Sequence, residues 1–487
     1  MERSGTFGKK RNIKSYIMNI LFFFIYFPFT NSLCFVKIKV MKTYTFKGGV
    51  KPQECKELSK DINICEVLPP SKTVTIPVTM GGANNVPTVK AGDKVVKGQI
   101  IADSTEFISA PVHASISGTV KEIGLHLVSG NLKVSCITIE GDGLDSTSYM
   151  EPLDPFNCSS KDALKRIRDA GITGQGGASF PLHVKLNPPA NTEIKYIILN
   201  AAECEPYITI DYRTLKETPH RVIDGLRIMM KITGAKGVIA LEDNKIDLLE
   251  ILKTEILKEN CSQDIEIRIV KSKYPQGSEK MLTKSLFNKE VPSGGLPVET
   301  GCIVSNTGTA CAVSDAFRLG KPLIERALTI SGGACETPKN IIVPVGTIVS
   351  DLVPEIIKIN AEKTVKLLSG GPLMGSSMIS ADFPIAKGTA CVLFLTKEEV
   401  NTDPEIPCIG CGKCIDVCPL GLAPTLIVSA LKVRNIEKAG KLGVMDCVEC
   451  GSCGFICPAN VPLVQKIRLG KANVKRQMAS KTAGGKA

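Results

Sequence analysis

Between Val74 and Glu140 apolar residues come in short runs broken every few positions by Gly, Pro or Asp. This pattern predicts strand–turn–strand units, two of which read VKAGDKVVKGQIIA (Val89 to Ala102) and ISAPVHASISGTVKEI (Ile108 to Ile123). The period changes after Lys161. Ile194 to Leu199 and Gly237 to Leu241 are short, apolar and β-branched, whereas Lys161 to Ala170, Thr218 to Ile232 and Ile246 to Lys258 repeat apolar residues at helical spacing. Alternation of the two predicts an α/β layered domain on parallel strands, running to Gly320. Pro322 to Leu367 returns to a β pattern and predicts a compact module of strands with a helix, turning at Gly332-Gly333 and running apolar over Ile341-Ile342-Val343. Pro407 to Ala459 is rich in cysteine around one apolar helical stretch, Ala423 to Lys432, and Lys471 onward is polar and predicted to be disordered. These changes divide the chain into an extension (1–40), a β domain (41–150), an α/β domain (151–320), a β-rich region (321–400), a cysteine-rich domain (401–470) and a basic tail (471–487).

At 487 residues the chain exceeds what one hydrophobic core organises. Hydrophobic residues at 43% and charged residues at 22% are the balance of a folded globular protein and argue against disorder along most of it. The net charge of +12, with local excess at Lys9 to Lys14 and Lys466 to Lys486, suits an acidic membrane face or an acidic redox partner as well as a plain solvated surface. No nucleic-acid partner is expected, because the chain has no Trp, 5% aromatic residues and no basic-aromatic recognition module. Near the start, the apolar run Tyr16 to Phe29 follows Lys9, Lys10, Arg11 and Lys14, as in a signal peptide or short membrane anchor. It is interrupted by Asn19 and Pro28 and is shorter than the ~20 residues a spanning helix needs. A second reading is that Met41 is the natural start. From Lys47 onward no segment is long and apolar enough to span a bilayer, so membrane association of that part would be peripheral.

Of nineteen cysteines, eight fall into two runs, Cys408-x2-Cys411-x2-Cys414-x3-Cys418-Pro419 and Cys447-x2-Cys450-x2-Cys453-x3-Cys457-Pro458. Thiolates at this spacing in a long chain point to a reduced metal protein rather than to disulfides. In the bacterial two-cluster pattern three close thiolates hold one cubane and the fourth belongs to the other. One [4Fe–4S] cluster should then take Cys408, Cys411, Cys414 and Cys457, and the second Cys447, Cys450, Cys453 and Cys418. Gly410, Gly412, Gly451 and Gly454 would let backbone approach the sulfides. Structural zinc is the competing reading of CxxC pairs, but a third Cys at the same interval, a fourth before Pro and duplication of the whole favour iron–sulfur. Cys55, Cys65, Cys136, Cys261, Cys335 and Cys391 lack such spacing and read as small buried residues.

Cubanes carry single electrons, so a hydride donor requires a cofactor that splits electron pairs, and flavin is the usual one. The α/β domain offers a glycine-rich loop, Gly171-Ile-Thr-Gly174-Gln-Gly176-Gly177-Ala178-Ser-Phe180-Pro181, followed by His183 and Lys185. Such a loop can present N–H groups to a phosphate, with Lys185 to neutralise it, or can simply close a tight turn. Its sequence resembles the GRGGAGFP flavin loop in the flavoprotein subunit of respiratory complex I. Asn200-Ala201-Ala202-Glu203-Cys204-Glu205-Pro206 resembles the NADESEP segment of that subunit, Tyr274-Pro-Gln-Gly277-Ser-Glu279 its YxxGEE segment and Asn306-Thr-Gly308-Thr309 its NVET segment. Four segments in the same order are more specific than any one. The resemblance implies FMN held by Gly174, Gly176, Gly177, Lys185, Asn200 and Asn306, with Glu203, Glu205 and Glu279 as the catalytic acids near NAD(H). Gln175 stands where that loop has Arg, Ala202 replaces an Asp and Ser278 a Glu, so contacts made by those charges are in question here.

From about Met41 to about Lys471 the arrangement resembles the RnfC family, a component of the Rnf ion-translocating electron-transport complex. That family implies a multidomain α/β plus β protein: a barrel-sandwich hybrid N-domain, a complex I flavoprotein-like α/β domain, an SLBB-type β-grasp and a two-cluster ferredoxin-like domain. Carriers built on barrel-sandwich domains hold a modified Lys at a hairpin tip, and no Lys lies between Asp103 and Ile116, so a structural role is expected. The resemblance further implies a peripheral subunit on the cytoplasmic side of the cell membrane, partnered by the complex's membrane subunits and indirectly by ferredoxin. It would pass electrons between NAD(H), FMN and the clusters, coupled to sodium or proton movement. A soluble cobalamin reductase of the propanediol-utilisation type shares this domain order and is the alternative. A ferredoxin-like relay without enzyme activity is a further one.

Overall fold

The computed structural model describes residues 42–189 and 191–484, with side chains to Gln477. Both readings of the extension 1–40 concern residues outside that range. The described chain opens with β1 (Thr43–Tyr44) and β2 (Ile64–Glu66), neither of which joins the barrel that follows. Strands β3 (Thr73–Pro77), β4 (Val86–Pro87), β5 (Lys94–Val95), β6 (Ile100–Asp103), β7 (Val112–His113), β8 (Gly118–Val128) and β9 (Leu132–Gly141) form two small sheets, ordered β3-β9-β8-β5 and β4-β6-β7. Val74, Ile76, Ile101, Val112, Ile137 and Ile139 are fully buried between them. The hairpin β8–β9 outgrows the barrel, and Asn131 at its tip donates to Ser377 O at 2.8 Å.

The α/β domain forms as its periodicity predicts. Its strands are β10 (Tyr196–Ala201), β11 (Lys236–Glu242), β12 (Ile265–Val270) and β13 (Cys302–Asn306), and its helices α1 (Ser160–Asp169), α2 (Leu182–Lys185), α3 (Ile210–Glu217), α4 (Pro219–Thr233), α5 (Leu249–Lys258), α6 (Glu279–Phe287) and α7 (Thr307–Arg318). All strand pairs are parallel, in the order β1-β12-β11-β10-β13. Helices cover both faces, which is why the strands are apolar throughout: Ile197, Leu199, Ile239 and Ile303 enter the core on one face, Ile198, Val238, Ala240 and Val304 that on the other. Helices α4 and α7 pack so closely that a Cβ on Gly225 would stand 1.8 Å from Ala310 O.

The β-rich region contributes β14 (Glu325–Ser331), β15 (Lys339–Pro344), β16 (Lys366–Ser369), β17 (Ser376–Met378) and β18 (Cys391–Leu395), in a six-stranded sheet ordered β17-β16-β18-β14-β15-β2. The helix expected between Pro322 and Leu367 is a correction: a single 3-10 turn, Ser350–Leu352, stands in its place. Val353 is extended before Pro354, and a residue preceding proline is turned away from the helical region.

The cysteine-rich domain is helical: α8 (Lys413–Asp416), α9 (Pro424–Lys432), α10 (Ile436–Lys441), α11 (Ser452–Phe455) and α12 (Leu463–Gly484). Ile427 and Val428 of α9 meet Val464, Ile467 and Val474 of α12. The tail expected to be disordered from Lys471 instead extends α12 to Gly484. Lys471 donates to Cys447 O at 2.7 Å, Val474 is buried, and the Ala, Lys, Arg, Gln and Met that follow are strong helix formers. Residues 485–487 lie outside the described range.

Candidate electron-transfer site

The two cysteine runs fold alike. Each passes through left-handed backbone at two positions before a one-turn helix, Gly410 (φ 70°) and Gly412 (φ 75°) in the first, Glu449 (φ 56°) and Gly451 (φ 86°) in the second. The second run thus tolerates a side chain where the first has glycine, and Arg468 and Lys471 hold that carboxylate at 2.8 Å each. Gly454, by contrast, is helical rather than left-handed and has open space at its Cβ. Cys408, Cys411, Cys414 and Cys457 line one cavity of about 430 Å³, with Thr425 and Val428 on its wall. Cys418, Cys447, Cys450 and Cys453 line another. Burial raises the Cys414 thiol, and Cys457, Cys408 and Cys411 raise it further; Cys453 is pushed up to about 12 by burial, then by Cys450, Cys447 and Cys418. Four thiols that oppose one another's ionisation become thiolates together only around a multivalent cationic core, and a four-iron cube suits this donor set.

In the α/β domain the chain runs outward through β10, β11 and β12, then returns to lay β13 on the other side of β10. Ligands of such sheets sit beyond the carboxyl ends of the strands where the order reverses. Asn306 ends β13 there, and its register partner Asn200 is the penultimate residue of β10. Asn200 donates to Gly277 O at 2.8 Å, while Asn306 caps α7 by accepting from Gly308 N at 2.9 Å and donates to Asp211 at 2.7 Å. The glycine-rich loop lies alongside, tied by Gly174 N to Phe180 O at 2.9 Å and by Gln175 N to Thr309 Oγ1 at 2.9 Å. A Cβ on Gly176 would meet only Asn306 Cβ at 3.7 Å, and one on Gly177 nothing within 4 Å. Neither Gly176 N nor Gly177 N has an acceptor among the described residues. Open space and undirected donors beside two asparagines fit a phosphate-bearing flavin.

The four charged residues expected here have protein partners. Lys185 pairs with Glu279 at 2.5 Å. Glu203, left-handed at φ 51° and buried, turns inward: its Oε1 accepts from Asp211 N at 2.6 Å at the start of α3, and Lys56 Nζ stands 3.5 Å from Oε2. Glu205 accepts from Leu373 N at 3.1 Å and Met374 N at 2.9 Å, gripping the turn before β17. Four participants carried no sequence signal as single polar residues: Lys56, Asp211, Arg326, whose guanidinium donates to Gln175 O at 3.0 Å, and Lys387, which donates to Gly171 O at 2.7 Å.

Between the switch-point crevice and the second cysteine cavity lies Tyr274, 1% exposed, whose hydroxyl donates to Cys450 O at 2.6 Å. Its ring packs with Val50 and Cys450, flanked by Cys204, Leu373 and Val417. Gly49 N donates to Val417 O at 2.8 Å, a second tie to the same region. The cavity completed by Cys418 therefore faces the α/β domain, while Cys408 and Cys411 are exposed to solvent.

Burial lifts both Glu203 and Glu205 to about 7 from the ordinary 4.5. Between those values these two groups keep protons in the folded chain that the unfolded chain has released, a contribution to stability that is lost as pH rises from 4.5 to 7. Burial holds His113 down to about 3 and lowers His183, two groups that act in the opposite sense below the ordinary 6.5. Urea midpoints measured at pH 5, 6 and 7 isolate Glu205 by difference: relative to wild type, the slope of stability against pH should be more positive by up to one proton in Glu205→Gln. An unchanged slope would remove Glu205 from that account.

Comparison with known proteins matches residues 44–144 to the RnfC barrel sandwich hybrid domain, 167–315 to the Nuo51 FMN-binding domain and 399–458 to the 4Fe-4S dicluster domain. A subunit of the proton-translocating ferredoxin:NAD(+) oxidoreductase complex of Clostridium ljungdahlii is 43% identical over 88% of this chain and 93% of its own. Its counterpart in the Na(+)-translocating complex of Acetobacterium woodii is 38% identical over 90% and 98%, and that in the ion-translocating oxidoreductase complex of Rhodobacter capsulatus 37% over 91% and 85%. With these folds in this order and likeness along nearly the whole length, the chain belongs to the RnfC family, a component of ion-translocating ferredoxin:NAD(+) oxidoreductase complexes.

Proposed function

We propose that this chain is the NAD(H)-linked oxidoreductase subunit of an Rnf-type complex, carrying electrons between NAD(H), FMN and two [4Fe–4S] clusters. The observation that carries the reading is the hydrogen bond from Tyr274, beside the crevice, to Cys450, beside the second cavity. Bound flavin would supply the exchange between hydride and single-electron chemistry. The residues of the chain bind, orient and insulate. Gly176 and Gly177 offer backbone donors to the phosphate, Gly174, whose N–H is taken by Phe180 O, shapes the loop around it, and Asn200 and Asn306 fix the walls of the crevice. The pair Lys185–Glu279 lies at 24% and 42% side-chain exposure, where an incoming nucleotide can meet it. Cys447, Cys450, Cys453 and Cys418 would hold the cluster nearer the flavin, and Cys408, Cys411, Cys414 and Cys457 the outer one.

Two exposed cysteines, with Ile409 at 64% and Leu426 at 51% exposure nearby, suit hand-over to another redox centre. Membrane subunits of the complex are the natural recipients, and ferredoxin would be an indirect partner. No helix among the described residues is long and apolar enough to cross a membrane. The same reading puts the chain at the cytoplasmic side of the cell membrane, held there peripherally by those subunits. Ion translocation would be a property of the assembled complex.

Anaerobic purification with iron, sulfide and flavin analysis tests the reading, followed by NADH titration under absorbance and EPR. About eight irons per chain, the content of two cubanes, and a flavin bleached by NADH are expected; zinc in place of iron, or a flavin inert to NADH, would overturn it. Gly176→Ala is sterically admissible in the fold, yet its methyl group intrudes on the crevice. It should leave the melting temperature within about 2 °C while flavin content falls severalfold.

A further inference from the structure

Two cations lie wholly inside the protein against the glycine-rich loop, and neither is hydrogen-bonded to a carboxylate among the described residues. Arg326, on β14, is 3% exposed; its Nε donates to Thr389 O at 2.6 Å, one terminal nitrogen to Gln175 O at 3.0 Å, and the other to the Gln175 side-chain oxygen. Lys387, in the segment leading into β18, is 1% exposed and donates to Gly171 O at 2.7 Å and Pro111 O at 3.1 Å. The acid whose field reaches Arg326 is Asp211, and its oxygens are engaged by Asn306 and Thr307. Burial holds the Lys387 amine down to about 7.

Buried charge that faces only carbonyl dipoles is costly, and an opposite charge nearby offsets the cost. The loop is thin. Gly171 and Gln175 present their carbonyls to the cations, and the next residues, Gly176 and Gly177, have open space where a Cβ would stand. Gln175 itself stands where the complex I loop carries Arg, and here the side chain of Gln175 accepts from a guanidinium that arrives from another domain.

We propose that Arg326, acting through Gln175, together with Lys387, supplies the positive charge that retains the phosphate monoester of FMN at the glycine loop, so that flavin capture depends on the β-rich region bearing both cations. The proposal rests on the flavin reading above. Arg326 and Lys387 are positioning residues, since neither would touch the reacting ring.

A simple clamp between domains would affect every flavin alike, whereas a charge acting on phosphate separates FMN from riboflavin. The test is titration of the full-length, flavin-depleted protein with each, followed by fluorescence quenching. Wild type should prefer FMN by more than about tenfold, and the preference should shrink as salt is raised. Gln175→Glu sets a carboxylate of the same shape on the guanidinium and cancels its field, at the cost of the bond from Gln175 Nε2 to Gly308 O at 2.9 Å, and riboflavin binding reports whether the crevice survives that loss. The substitution should cost FMN at least about tenfold in affinity and leave riboflavin within twofold. Arg326→Gln should do the same, and Arg326→Lys should keep the preference for FMN. Equal loss of both flavins, or no loss of FMN in Gln175→Glu, would overturn the proposal. Wild type binding both flavins equally would overturn it while leaving the flavin reading intact; wild type binding neither would bring down both.

Discussion

Cys418→Ala is expected to abolish the cluster held by Cys447, Cys450 and Cys453 and to leave the one beside it in sequence. About four of the eight irons of two cubanes should be lost, and EPR of the reduced protein should keep the signal of the Cys408, Cys411, Cys414 and Cys457 centre. Cys457→Ala should give the reciprocal result. The expectation follows from which thiols share a cavity: Cys418 lines the space with Cys447, Cys450 and Cys453, and Cys457 that with Cys408, Cys411 and Cys414. Because the inner cavity adjoins Tyr274, Cys418→Ala should also stop electrons from NADH reaching the surviving cluster, whereas Cys457→Ala should not stop them reaching the inner one. Loss of the neighbouring cluster in Cys418→Ala would refute the crossed pairing.

Tyr274→Ala should be the most disruptive single change outside the ligands. The ring is among the largest fully buried side chains and fills the contact between the α/β domain and the inner cysteine cavity. Removing a buried aromatic ring costs about 3–5 kcal/mol, read as a lower urea midpoint. Tyr274→Phe keeps the packing and forfeits one hydrogen bond, about 1 kcal/mol. Rapid mixing with NADH distinguishes the two: cluster bleaching should lag far behind flavin reduction in Tyr274→Ala and little in Tyr274→Phe. Equal rates in both variants and wild type would remove Tyr274 from the route.

Much of this is legible in the residues because its causes are local. Cysteine intervals are set by the reach of a few peptide units, so the two triads follow from spacing, whereas the exchange of Cys418 and Cys457 between them is an expectation taken from the bacterial two-cluster pattern. The apolar strands β10 and β11 and helices α1 and α4 follow from residues close in sequence. The alternation of strand and helix also implies parallel strands. What stays hidden depends on partners far along the chain. Arg326 is one polar residue in a strand, and nothing in its neighbours announces that Gln175 will receive it. Glu203 and Glu205 are legible as acids near the crevice, but their engagement with the start of α3 and with the turn at Leu373 is not. The tail misleads for a related reason: its polar composition hides a single buried contact, Val474, and the Lys471 bond to Cys447 O that carry the helix onward.

Strands β1 and β2 have a consequence for synthesis. Thr43 pairs with Ile269 and Ile64 with Asn340, so each early strand waits for a partner more than two hundred residues further along. Ribosomes add roughly 5–20 residues per second, which leaves these segments unpaired for on the order of tens of seconds. During that interval the barrel can close by itself, since its strands all lie between Thr73 and Gly141. The leading strap cannot, and it should be the stretch on which a nascent-chain chaperone dwells longest.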